Sequence, residues 1–97
     1  PNAIREVNNA GFLKKLTVAP NPFSSTTTIS FELAKSESMK ITLSDATGRV
    51  TQVYEGTMQR GQQQLEINAS QLKLAKGIYS LQLSTGTQST AKTIVLQ

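Results

Sequence analysis

The side chains that could carry chemistry are few and scattered. Glu6, Glu32, Glu37, Asp45, Glu55 and Glu66 are the six carboxylates among 97 residues, and the chain has neither histidine nor cysteine. Cleaving a glycoside takes two carboxyl groups at a set separation across a cleft. Here each carboxylate falls in a different stretch and no two form a local pair. Serine and threonine are plentiful, but a hydroxyl becomes a nucleophile only beside a base that takes its proton, and histidine, the usual base, is missing. The same absences remove the commonest zinc ligands. No alternating run of aspartates offers a calcium loop, and no glycine-rich loop offers a phosphate cradle. Tyr54 and Tyr79 could stack on a sugar. Tyr79, however, shares its parity with Leu81 and Leu83, which puts the ring in a core and the hydroxyl at its rim. Three Phe, two Tyr and no Trp do not make an aromatic platform. The residue types point away from catalysis, cofactors and metals, and by themselves show no chemistry.

The elements that would position these side chains are strands. Residues 76–85 read Lys-Gly-Ile-Tyr-Ser-Leu-Gln-Leu-Ser-Thr. Tyr79, Leu81 and Leu83 point one way and Ser80, Gln82 and Ser84 the other, the period-two pattern of a strand with one buried face. Gly77 breaks what precedes it, and Thr85-Gly86 turns the chain into a last strand. Ile29, Phe31 and Leu33 alternate with Ser30 and Glu32; Met39, Ile41 and Leu43 alternate with Lys40, Thr42 and Ser44. Leu16 and Val18 mark a short first strand, ended by Pro20-Asn21-Pro22, whose prolines remove two backbone donors and take the chain out of the sheet. Phe23 is then free to plug the end of the core. Asp45-Ala46-Thr47-Gly48 has the residues of a type I turn.

Residues 49–55 break parity at Val53, as a bulge or a strand covered on both faces would. Leu65 and Ile67 mark another strand. Asn68-Ala69-Ser70 matches a glycosylation sequon, but its residues favour the cap of one short helical turn carrying Leu72 and Leu74. Ile94, Val95 and Leu96 are consecutive, which suits a final strand covered on both sides at its end. About seven short strands separated by turn signals predict an all-β antiparallel sandwich.

Length and charge bound the rest. A chain of this size makes one domain with one modest core. The net charge is +4, but the ten basic residues are dispersed rather than drawn into the stripe of a nucleic-acid module. No apolar run approaches the roughly 18–20 residues of a membrane helix. Residues 1–15 lack periodicity and read as a linker, and residues 16–97 as the domain. Because the chain starts at Pro1 rather than Met, we read it as a piece of a longer protein.

Four stretches occur together in order: Leu-Thr-Val-Ala-Pro-Asn-Pro-Phe at 16–23, Asp-Ala-Thr-Gly-Arg at 45–49, Lys-Gly-Ile-Tyr-Ser-Leu at 76–81, and Lys-Thr-Ile-Val at 92–95. As an ordered set they resemble the type A C-terminal sorting domain of the type IX (Por) secretion system, over residues 16–97. Ala19 stands where that family often has tyrosine. The resemblance implies an immunoglobulin-like sandwich of about seven strands at the end of a cargo protein. It implies that the cargo crosses the periplasm of a Gram-negative cell and that an outer-membrane translocon recognises the domain. A cell-surface sortase then usually removes it, leaving the cargo anchored to an anionic lipopolysaccharide or secreted. Residue by residue, Pro20, Asn21 and Pro22 match the first motif. Asp45 and Gly48 match the turn, Gly77 and Tyr79 the strand, and Lys92, Ile94, Val95 and Leu96 the tail. The partners expected are the translocon, the sortase, the upstream cargo and, through an exposed edge strand, a second copy. The segment from Lys92 to Gln97 is expected to be what the machinery reads, and the stretch from Pro1 to Leu13 to be what a protease reaches. The rival reading is a structural or adhesive immunoglobulin-like or fibronectin-like sandwich module of a large secreted enzyme, with a carbohydrate-binding module third.

Overall fold

Thr27, Ile29, Phe31 and Leu33 are each no more than 1% exposed, while Thr26, Thr28, Ser30 and Glu32 between them are half-buried. That is the pleat expected of a strand with one face on a core and one toward water. In the computed structural model, which describes residues 13–97, the pattern recurs in seven strands. They are β1 (Leu13–Ala19), β2 (Thr26–Leu33), β3 (Glu37–Ser44), β4 (Val50–Met58), β5 (Gly61–Asn68), β6 (Gly77–Ser84) and β7 (Ser89–Leu96). The predicted all-β antiparallel architecture is the one observed.

The strands form two sheets, ordered β1-β2-β5 and β4-β3-β6-β7. These are the neighbours of an immunoglobulin-type sandwich, except that β4 pairs with β3 in the larger sheet instead of joining β5. Ile29, Phe31, Leu33 and Ile67 of the smaller sheet and Met39, Ile41, Leu43, Leu81, Leu83 and Ile94 of the larger are essentially inaccessible and belong to one core. Burying each such side chain is worth about 1.5–3 kcal/mol relative to leaving it in water. With no cysteine in the chain, this packing is what holds the sheets together.

Three strand boundaries differ from the expected ones. β4 runs on to Met58, through residues expected to be a connection after Glu55, because Gly56, Thr57 and Met58 keep pairing with Met39, Ser38 and Glu37, and the same pairs start β3 at Glu37. β1 starts at Leu13, not Leu16, because Leu13 pairs with Leu33 and is buried. The alternation that would reveal this is interrupted by a bulge. The register shifts between Lys14 and Thr17, and Lys15 has a φ of 58°. Leu13, Lys14 and Lys15, read as the end of a linker, thus belong to β1, while residues 1–12 of that stretch lie outside the described residues. In β4 the parity break is a bulge: Ile41 faces Tyr54 and Thr42 faces Gln52, leaving Val53 as the extra residue.

The connection from β5 to β6 is one capped turn rather than a helix. The Asn68 side-chain oxygen accepts from the Gln71 N–H at 3.0 Å, as a cap does. At the far end the Leu74 N–H bonds the Ala69 carbonyl and the Lys73 N–H bonds that of Ser70. This pair of bonds closes a turn when the penultimate residue is left-handed, and Lys73 has a φ of 58°.

Candidate functional site

Tracing the strand ends shows where the motifs lie. β1, β3, β5 and β7 finish, and β2, β4 and β6 begin, at one pole of the sandwich. Ala19 faces Thr28, Thr26 faces Asn68, Ser44 faces both Val50 and Ser80, and Gly77 faces Leu96. The two sheets are tied together there by residues 20–25 and 69–75. Pro20, Asn21, Pro22, Asp45, Gly48, Gly77, Tyr79, Ile94, Val95 and Leu96 are thus gathered within one end of the molecule. Lys92 sits further along β7, opposite Leu81.

The segment with two prolines leaves β1 and lies along the outer edge of β7. The Val95 N–H donates to Asn21 Oδ1 at 3.1 Å, and Asn21 Nδ2 donates to the Thr93 carbonyl at 3.3 Å. Two residues on, the Phe23 N–H donates to the Val95 carbonyl at 2.9 Å, and the Gln97 N–H donates to the Phe23 carbonyl at 2.8 Å. The Asn21 amide thereby stands in for a strand's backbone, which the flanking prolines cannot supply on the donor side. Phe23 is 2% exposed and closes the end of the core, as its position after the prolines suggested. The same loop is fastened to the smaller sheet by Thr27, whose buried hydroxyl donates to the Pro20 carbonyl at 2.6 Å. Its parity with Ile29, Phe31 and Leu33 marked Thr27 as inward-facing, but nothing local named its partner.

The turn between β3 and β4 is built on one carboxylate. Asp45 Oδ1 accepts from the Thr47 hydroxyl at 2.7 Å, the Thr47 N–H at 2.9 Å and the Arg49 N–H at 3.0 Å. The Gly48 N–H closes the type I turn on the Asp45 carbonyl, and Gly48 then takes a φ of 88°, where a side chain would be strained. The Thr47 hydroxyl foremost, and the two backbone N–H groups, hold the Asp45 carboxyl below its ordinary value of 3.8. Because the folded value is the lower one, what the charged turn adds to stability is present above the ordinary range and lost as pH falls through the depressed value. Thermal melts of the wild type and Asp45→Asn should differ at about pH 6, and the difference should narrow as pH is lowered below the ordinary carboxylate range.

Tyr79 is 6% exposed, and its hydroxyl donates to the Ala75 carbonyl at 2.5 Å. The ring is in the core with its polar tip at the rim, as its parity with Leu81 and Leu83 implied. The bond anchors residues 73–76 against the Asp45 turn. Between the two segments lies an open cavity of about 180 Å³ lined by Asp45, Thr47, Ala75, Lys76, Ile78 and Tyr79. A smaller one beside it is lined by Asp45, Arg49, Lys73 and Leu74 among others. Arg49, Lys73 and Lys76 are exposed around it. Val50 and Ile78, the large hydrophobic residues most exposed among those described at 61% each, both lie on the outer face of the larger sheet at this pole. Among the described residues no cluster of three acidic, histidine or cysteine side chains could hold a metal ion. The pole offers a concave basic rim, backbone edges and two exposed apolar side chains, which is the equipment of a surface that is recognised.

No curated protein is similar enough to count as a match. The family model described as the secretion system C-terminal sorting domain matches residues 17–97, from the middle of β1 through the last residue. With four motifs gathered at one pole of a seven-stranded sandwich and that match over most of its length, the chain belongs to the type IX secretion C-terminal sorting domain family.

Proposed function

We propose that the pole formed by residues 20–23, 45–49, 75–79 and 94–97 is the surface the outer-membrane translocon reads on this sorting signal. In this reading the cargo is joined ahead of Leu13, crosses the periplasm and is recognised through the pole. A cell-surface sortase then cuts ahead of β1 and leaves the cargo anchored to lipopolysaccharide or released. The observation that carries the reading is the convergence itself. Motifs separated by up to about seventy residues meet at one end, and the two exposed large hydrophobic residues lie at the same end. Exposed apolar side chains rimmed by polar and charged groups are a common mark of an interaction site.

The test is transplantation. The domain is fused behind a neutral periplasmic reporter in a cell with the type IX apparatus, and reporter in the medium is measured. Wild-type fusion should be exported. Ile78→Asp should lower export about tenfold, equivalent to about 1.4 kcal/mol of recognition, while changing fold stability by less than about 1 kcal/mol, as for other exposed substitutions. A wild-type fusion that stays in the periplasm favours the adhesive-module rival. An Ile78→Asp fusion exported like the wild type removes the pole from recognition. The N-terminus of the released domain, sequenced in the same experiment, should fall within residues 1–13; a terminus inside the strands would contradict release by cutting ahead of β1.

A further inference from the structure

β7 is an edge strand of the larger sheet, and its outer edge is only half closed. Its register with β6 runs without a shift from Ser89 to Leu96, so backbone groups of alternate residues face away from β6 along its whole length. Val95 shows which set this is, since its N–H and C=O bond Asn21 and Phe23. By the same alternation, Ala91 presents its N–H and C=O, and Thr93 its N–H, to the same side. Among the described residues nothing pairs with them there, and Ala91, Lys92 and Thr93 are exposed.

The inner face has a matching gap. The Lys92 side chain has the parity of Ile94 and Leu96, which are 0% and 4% exposed, yet it is in solvent. The core therefore ends at Ile94 along this strand. A charged residue pointing inward on an edge strand discourages casual pairing. Two copies paired antiparallel through residues 89–93 would place their Lys92 side chains on one face, opposite or diagonal, where like charges repel. A strand with a carboxylate at that position would instead be attracted, and the chain's net charge of +4 favours the same partner.

We infer that residues 89–93 of β7 are a strand-addition site for an extended segment of the secretion machinery that presents an acidic side chain to Lys92. The inference rests on the sorting function proposed above and adds the partner's conformation and charge. Backbone pairing supplies the affinity, and Lys92 selects the segment. The Asn21–Phe23 clamp sets the limit of the site, because it already occupies the edge from Val95 onward.

The reporter fusion tests it with three variants. Ala91→Pro removes a donor that β6 does not use and puts a ring in the path of an incoming strand; proline is tolerated where an edge N–H faces solvent. Lys92→Glu reverses the selecting charge, and Lys92→Arg retains it. Ala91→Pro and Lys92→Glu should each lower export about tenfold or more, with melting temperatures close to the wild type, while Lys92→Arg exports normally. Should Ala91→Pro fail to fold, Lys92→Glu decides. Normal export of Lys92→Glu and of folded Ala91→Pro overturns the inference. So does a wild-type dimer that Ala91→Pro converts to monomer without loss of export, the occupant then being a second copy. Failure of the wild-type fusion itself strikes the sorting function, not the edge.

Discussion

Removing residues 93–97 should unfold the domain. The deletion takes away Ile94 and Leu96, both in the core, together with the N–H and C=O of Val95 and the N–H of Gln97 that hold the Asn21–Phe23 loop. Truncating one buried aliphatic side chain to alanine costs about 2–5 kcal/mol. Losing two, with their backbone bonds, is comparable to the whole stability of a small domain, about 5–15 kcal/mol. Circular dichroism of the truncated domain should show no cooperative melt, and export of its fusions should vanish. Loss of export after this deletion therefore reports loss of the fold before it reports loss of a signal. A truncated domain that still melts cooperatively near the wild-type temperature would show that β7 is dispensable to the core. The exposed substitutions at Ile78 and Lys92 avoid this confusion, since neither side chain is in the core.

Phe23→Ala should have the next largest effect, about 3–5 kcal/mol, the usual cost of removing a buried aromatic ring. The ring closes the core at the motif pole, and its own backbone bridges to Leu96 in a parallel bridge. The loss should therefore be felt along β7. Hydrogen exchange at the Val95 and Gln97 amides, which bond Asn21 and Phe23, should quicken more than exchange at the Leu81 and Leu83 amides in the middle of the larger sheet. Chemical denaturation gives the stability change. Uniform quickening of all four amides, in step with the global loss, would mean that the clamp opens only when the whole domain does.

The contrast between these two sites shows what the sequence made legible. The strands at 26–33 and 77–84 and most of that at 37–44 announce themselves, because each buries one face and a period of two is a local property of the chain. Phe23 could be placed in the core from the prolines around it. The Asp45 turn could be read because aspartate and glycine satisfy its geometry with neighbouring groups alone. The clamp could not be read. Asn21 and Val95 are 74 residues apart, and an amide standing in for a backbone leaves no pattern in either segment. The start of β1 was hidden by its bulge. The turn at residues 68–74 uses a left-handed lysine where glycine would have flagged it. The four motifs were each visible in the sequence; that they share a pole is a property of strand order, which two sheets of three and four strands decide together. The Ala75 carbonyl that receives the Tyr79 hydroxyl had no signal at all, since any residue carries a carbonyl.

Leu13 pairs with Leu33, at the end of the sandwich away from Gly77 and Leu96. A strand of eight residues rises about 26 Å, so the start of β1 at Leu13 lies about a full strand length from the gathered motifs. If the proposed pole is what is read, the end through which a passenger would be joined is the opposite one, and the domain offers separate ends for attachment and for recognition.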